Sequence, residues 1–314
     1  MVSVIIPNYN HAPYLQQRIE SVLNQTFRDF ELIILDDCSG DNSREMIERY
    51  RNHPKVSAIV YNEQNSGSVF KQWKKGIEMA SGDYVWIAES DDYASADLLE
   101  TLHARMQENP ALGIVYCDSN IVSASGECEA RTFGSWRNEW LKMDKWSRDY
   151  TNSGKTEIRE NLLQMCTINN ASAVLFRKEA LVKANPFELN LRYTGDWFVY
   201  LKTCLNWDIA YVNKPMNFYR EHQANSFKKS RNNSTFIREY FLIFDWVLRH
   251  IEGYPRKDIL KMFFNHTRHA LLKGFDEQRR KIYKELAARN PALFARMIVH
   301  NVVFPIKERV YGRQ

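Results

Sequence analysis

Glycine-rich loops are missing from this chain of 314 residues. Its 12 glycines are dispersed, and the turn after the first apolar run reads Pro7-Asn8-Tyr9-Asn10. That excludes the glycine fingerprint of a dinucleotide-dependent oxidoreductase and the Gly-rich, lysine-bearing first loop of a sugar nucleotidyltransferase. Cysteine is scarce too: Cys38, Cys117, Cys128, Cys166 and Cys204 are odd in number, scattered, and contain no Cys-x-x-Cys pair. Such usage argues against a disulfide framework or a zinc site and for free thiols in a reducing compartment, so a cytoplasmic location is expected. No run approaches the ~20 apolar residues of a membrane span. Met1 leads straight into Val2–Ile6, without the basic stretch and cleavage site of a signal peptide. Charge imbalance is slight, with 43 Lys and Arg against 38 Asp and Glu and a net +5. That permits phosphate or lipid-headgroup partners without demanding them, and no nucleic-acid partner is expected.

What is present is an ordinary globular composition, 44% apolar, in a chain long enough for one large domain or a domain with an appendage. Apolar β-like runs alternate with amphipathic segments. Strands are expected at Val2–Ile6, Phe30–Leu35, Val56–Tyr61, Tyr84–Ala88 and Ile114–Cys117. Helices are expected at Tyr14–Leu23, Asp41–Tyr50, Val69–Ala80 and Ala96–Gln107. The stretch Ser119–Thr156 is less regular. Further strands are read at Ala173–Phe176, Ile209–Val212 and Met216–Tyr219, with a helix at Asp196–Asn206. From about Ser234 the pattern is helical: Phe236–Arg249, Ile259–Leu272, Glu277–Ala288 and an apolar stretch near Leu293–Phe304. The expectation is an α/β fold, a mostly parallel sheet flanked by helices with a helical C-terminal extension. The boundary falls near residue 230: a nucleotide-binding half at 1–120, an acceptor half at 121–230, and the extension at 231–314.

Ligands of such sheets bind beyond the carboxyl ends of the strands. Strand one ends at Pro7, which cannot continue a ladder, so the chain is expected to turn there. Tyr9 then sits at the sheet's mouth, free to stack on a base or to pack its own turn. Strand two ends in Asp36-Asp37, carboxylates that either receive a nucleoside or cap the next helix. Strand four ends in Glu89-Ser90-Asp91-Asp92. Adjacent carboxylates repel, and a hard divalent cation satisfies them while keeping sites for substrate phosphates; a solvated acidic turn ahead of a helix is the plainer alternative.

The series Val2–Asn10, Ser21–Phe27, Glu31–Ser39, Asn65–Ser68 and Ala80–Asp92 resembles, in motif and order, the family 2 glycosyltransferases of the Rossmann-like GT-A fold. The resemblance implies an inverting transferase with a nucleotide-diphosphate sugar donor, commonly a UDP-sugar. Pro7, Tyr9 and Asp37 would hold the nucleoside, Asp91 the ribose and pyrophosphate, and Asp92 a Mn2+ or Mg2+ ion. Tyr193-Thr194-Gly195-Asp196-Trp197 is similar to the family's Glu-Asp motif with Gly195 in the glutamate's place, and implies Asp196 as catalytic base. Tyr219-Arg220-Glu221-His222 resembles the Arg-x-His motif near the pyrophosphate, making His222 a second metal contact. The family's Arg-Asn pair is replaced by Lys71-Gln72-Trp73-Lys74, where Lys71 or Lys74 would face the diphosphate. The Trp136–Trp146 region either offers a stacking platform for the acceptor, a glycan or lipid-linked glycan of a surface polysaccharide, or packs in the core. Leu293, Phe294, Met297, Ile298, Val302 and Phe304, followed by Lys307, Arg309 and Arg313, suit a peripheral membrane contact, or packing on the catalytic domain or on a second subunit. With Gly195 in the base motif, an inactive nucleotide-sugar-binding protein is the alternative.

Overall fold

The computed structural model describes residues 1–222, 234–267 and 277–300. The chain divides into two compact units, Met1–His222 and Gln223–Gln314.

The first unit is built on one sheet. Its parallel half places β1 (Val2–Asn8) between β2 (Phe30–Asp36) and β4 (Tyr84–Ile87), with β3 (Val56–Tyr61) outside β2. β9 (Val174–Arg177) enters antiparallel beside β4 and also pairs β6 (Leu112–Val122), which runs parallel to β10 (Asp208–Arg220). β5 (Tyr93–Ala94) and β8 (Tyr150–Asn152) pair with β10, and β7 (Cys128–Thr132) with β6. The α/β reading therefore holds, with antiparallel strands added to the half beyond β4. The covering helices are α1 (Ala12–Leu23), α2 (Ser43–Glu48), α3 (Val69–Met79), α4 (Leu98–Gln107), α5 (Phe133–Leu141), α6 (Gly154–Glu157), α7 (Lys178–Ala184) and α8 (Gly195–Cys204). β1, β2 and β4 are buried along nearly their whole length, as strands covered on both faces must be. Leu15, Ile19 and Val22 of α1 and Leu98, Leu99, Leu102 and Met106 of α4 join Val4, Ile6, Ile34 and Trp86 in one core.

Three local expectations change. Pro7 does not end β1; it stays in register with Leu35. The pairing with β4 stops at Ile5, so at Pro7 the strand has a neighbour on one side only and an edge tolerates proline. The two strands read at Ile209–Val212 and Met216–Tyr219 are one, β10, with register shifts around Pro215 that absorb its missing donor. The irregular stretch Ser119–Thr156 contains β7, α5 and β8. α5 is opened by a reciprocal box between Thr132 and Ser135, a serine variant of the usual Ser/Thr-x-x-Glu signal.

In the second unit α9 (Ser234–His250), α10 (Arg256–Thr267) and α11 (Glu277–Arg289) precede a helical stretch at 291–300. Phe241, Phe244 and Val247 of α9 and Phe263 of α10 are buried, and Asp245 of α9 accepts from Arg289 and Asn290. Leu293 and Met297 are buried as well. Val302, Phe304, Lys307, Arg309 and Arg313 lie outside the described residues. No described helix is long and apolar enough to cross a membrane.

Candidate active site

The carboxyl ends of β1, β2 and β4 converge, and each loop is tied down by its own polar residues. At the end of β1, Asn8 Nδ2 donates to Asp36 Oδ1 at 2.7 Å, and the Ser39 hydroxyl donates to the same oxygen at 2.6 Å. Asn10, in the left-handed region at φ 57°, accepts from the Gly40 N–H through its side chain. Tyr9 between them is 46% exposed. Pro7 is buried in β1.

Asp37 is occupied by protein donors. Its Oδ1 accepts from Asn62 Nδ2, Ser66 N and Gln72 Nε2 at 2.6, 2.9 and 2.8 Å. Its Oδ2 accepts from Asn65 Nδ2 and the Ser66 hydroxyl at 3.2 and 2.8 Å. A carboxylate has about four acceptor sites, so Asp37 is filled by the segment between β3 and α3 that it organises. Lys71, on the exposed side of α3, donates to the Ser66 carbonyl.

The acidic turn after β4 sorts its carboxylates by direction. Asp92 points inward and is 3% exposed. Its Oδ1 accepts from Arg220 N and its Oδ2 from Asn170 Nδ2, both at 2.9 Å. Burial and the neighbouring Asp91 push its pKa up to about 6, against Arg18, Arg220 N–H and Asn170. Asp91 turns the other way: its Oδ2 lies 2.9 Å from His222 Nε2. Burial opposes its charge, but the His222 hydrogen bond and nearby His11 hold its pKa below the usual carboxylate range. His11 Nδ1 lies 2.8 Å from the Ser90 hydroxyl. Ligand atoms of His11, Asp91 and His222 all lie within 4.8 Å of one another. Glu89 accepts from Trp73 Nε1 at 2.8 Å, yet burial and Asp91 raise its pKa to about 8.

The structure thus brings His222 to Asp91 and not to Asp92. Each Asp92 oxygen accepts one protein hydrogen bond and the residue is buried, whereas Asp91 stands with His11 and His222. His11 was not apparent from the sequence; it stands just before α1 and makes no side-chain capping bond. Arg220 is not open to a pyrophosphate either. It donates to the Asp91, Ser123 and Ala124 carbonyls and to Gln17 Oε1, and lies over Tyr14 and Tyr93. It clamps the acidic turn.

Asp196 begins α8, half-buried, with its Oδ1 accepting from the Trp197 N–H at 2.7 Å. A side chain at Gly195 would run into the Phe70 ring. Phe70 packs edge-on against Trp73 at 5.1 Å, the residue that holds Glu89. Gly195 is therefore required by packing between α8 and α3. Of the three tryptophans considered for the acceptor, Trp146 is 1% exposed and donates to the Tyr116 hydroxyl, so it belongs to the core. Trp136 and Trp140 stack on the outside of α5 at 6.0 Å and 17°, and Trp140 is 66% exposed. Phe133, one turn before Trp136, packs on Tyr219 at 5.1 Å, three residues from His222.

The profile described as Glycosyl transferase family 2 matches residues 3–181. The glycosyltransferase GlyG of Streptococcus pneumoniae serotype 4 is 34% identical over 111 residues, 35% of this chain and 36% of that protein. The putative teichuronic acid biosynthesis glycosyltransferase TuaG of Bacillus subtilis is 40% identical over 100 residues, 32% of this chain and 39% of that protein. The matched segments therefore span little more than a third of these relatives. Among solved structures, Staphylococcus aureus TarS 1–349 in complex with UDP-GlcNAc is similar with a TM-score of 0.69 at 17% identity, over 99% of this chain and 93% of that one. The mannosyltransferase PcManGT of Pyrobaculum calidifontis, in complex with GDP-Man and Mn2+, gives a TM-score of 0.54 at 15% identity, over 99% and 88%. These likenesses establish the GT-A fold, and with the profile covering more than half of its length, the chain belongs to glycosyl transferase family 2.

Proposed function

We propose that the chain is a metal-dependent inverting glycosyltransferase that moves a sugar from a nucleotide-diphosphate donor, a UDP-sugar, to a hydroxyl of a glycan or lipid-linked acceptor in surface polysaccharide synthesis. The observation that carries this reading is the Asp91, His11 and His222 cluster beyond β4 in a chain of this family. One carboxylate and two imidazoles suit Mn2+ better than Mg2+, which prefers an all-oxygen shell. An ion held there supplies Lewis-acid stabilisation of the departing diphosphate. TuaG's name places that relative in teichuronic acid synthesis, and TarS is named a poly(ribitol-phosphate) β-N-acetylglucosaminyltransferase, which supports the polysaccharide context.

The remaining roles fall to the chain's own residues. Tyr9 offers its exposed ring to the base. Asp37 acts through the segment it orders, fixing the Asn65–Ser68 turn and the start of α3, from which Lys71 reaches toward phosphate. Asp196, at the first turn of α8, takes the proton of the attacking hydroxyl, and one base with direct displacement gives inversion. Trp136 and Trp140 receive the acceptor sugar on their faces.

Asp196→Asn keeps the shape and removes the base. Turnover should fall by ~10²–10⁴-fold while donor and Mn2+ affinities hold. Initial rates of transfer or donor hydrolysis with UDP-GlcNAc and other UDP-sugars, with and without Mn2+, check this. Near-normal turnover in Asp196→Asn would move the base elsewhere. A wild-type chain that binds donor but turns over none would favour the inactive binding protein.

A further inference from the structure

Helix α1 carries its core-facing stripe at Leu15, Arg18, Ile19 and Val22. Position 18 belongs to an apolar row, yet it holds an arginine that is 0% exposed. Fully buried arginines are rare unless paired, because removing the guanidinium from water is costly. Here the compensation is specific and incomplete. Arg18 Nε donates to the Glu89 carbonyl at 2.8 Å. The guanidinium lies 5.6 Å from the Trp86 ring centre, and Nη2 is 4.0 Å from Asp92 Oδ2. Among the described residues, Nη1 and Nη2 have no hydrogen-bond partner. The site therefore uses the charge and the backbone grip of Arg18 more than its full donor set.

We propose that Arg18 is a positioning residue: a fixed internal counter-charge that keeps Asp92 turned inward, so that the acidic turn presents Asp91 alone to a divalent cation. The inference rests on the metal-site reading given above and goes beyond it to the residue that decides which aspartate faces out. Glu89, Asp91 and Asp92 put three carboxyl groups within four residues. Two of them pointing into one crevice would repel each other in its absence. Asn170 and the Arg220 N–H supply hydrogen bonds to Asp92. The Arg220 guanidinium is turned toward the Asp91, Ser123 and Ala124 carbonyls and Gln17. Arg18 is the cation beneath the turn, and its Nε bond to Glu89 fixes the strand end from which the turn departs. The same helix contributes Gln17 to Arg220 and follows directly on His11, so α1 is the scaffold of the acidic turn as well as a cover for the sheet.

The test is a charge cycle on the full chain with Arg18→Met, Asp92→Asn and the double variant. Each is melted without metal or nucleotide, and Mn2+ binding is then followed by the electron paramagnetic resonance signal of free Mn2+. Arg18→Met should lower the melting temperature and weaken Mn2+ binding by about 10–100-fold, the range for losing a residue that orients a ligand. Arg18→Met/Asp92→Asn, with both charges gone, should recover much of both losses. Should Arg18→Met fail to fold, the double variant decides: folding with Mn2+ binding supports the proposal, and failure to fold overturns it. Strictly additive melting effects would make Arg18 a core filler and overturn the proposal. So would unchanged or tighter Mn2+ binding in Arg18→Met, the result expected if Arg18 acted only as a repelling charge. A wild-type chain that binds no Mn2+ would sink the metal-site reading, while the melting cycle would still report whether Arg18 and Asp92 are coupled.

Discussion

At the scale of single residues, the acidic turn shows how neighbours in sequence can take opposite parts. Asp91 and Asp92 read alike in the sequence, as two carboxylates at a strand end. Their division depends on Asn170, on the Arg220 N–H and on Arg18, which lie 78, 128 and 74 positions from Asp92 and are no part of the local motif. Motif order could locate the turn; it could not say which carboxylate faces inward. Gly195 is the converse case. In the sequence it stands where the resembled motif carries glutamate, and the packing accounts for the glycine. Gly195→Ala would drive a methyl group into the Phe70 ring. Overpacking of this kind costs about 1–3 kcal/mol, and it would displace the first turn of α8 that carries Asp196. The expected outcome is a lower melting temperature together with reduced turnover, both largely restored by adding Phe70→Leu. A Gly195→Ala protein with wild-type stability and turnover would show that α8 and α3 have slack there.

At the scale of elements, the parallel half of the sheet was legible because its strands are short β-branched runs buried on both faces, separated by helices with a clear apolar stripe. β7, α5 and β8 were not, because β7 is exposed along almost its entire length and has no apolar alternation to read. β10 was split in two by Pro215, where the structure accommodates the proline with shifts of register. In the second unit the described helices follow the expected apolar periodicity, and the end of the expected Ile259–Leu272 helix lies outside the described residues. The burial of Leu293 and Met297 removes two of the apolar residues on which a membrane contact was expected to rest. The segment between β3 and α3 gives an element-scale prediction. Asp37 gathers Asn62, Asn65, Ser66 and Gln72. Asp37→Ala should therefore unfasten the segment as a unit, and not merely delete one contact to a ligand. Hydrogen exchange at the Ser66 amide should accelerate by roughly 10-fold or more, since the lost bonds to a charged group are worth about 1.5–3 kcal/mol. Unchanged protection at Ser66 would mean that the segment is held by something other than Asp37.

At the scale of the whole molecule, the residues given functional roles all belong to Met1–His222, and the three potential ligands of the cation come from three separate places along it: the end of β1, the end of β4 and the end of β10. Such a site exists only when the sheet is complete, which is why length and motif order announced the fold while the partners of Asp91 stayed hidden. His11 in particular is 80 residues from Asp91 in sequence and is brought to it by the parallel pairing of β1 with β4. The central claim is that this fold holds a nucleotide-diphosphate sugar through a cation on Asp91. Thermal melting of the full chain with a panel of UDP- and GDP-sugars, in Mn2+ and in excess chelator, tests it most directly. A ligand at about 100 times its dissociation constant adds roughly 2.7 kcal/mol to the stability of the folded state. The account predicts a rise in melting temperature that needs both Mn2+ and a nucleotide-diphosphate sugar and disappears in Asp91→Asn. A shift of the same size in chelator, or in Asp91→Asn, would contradict it.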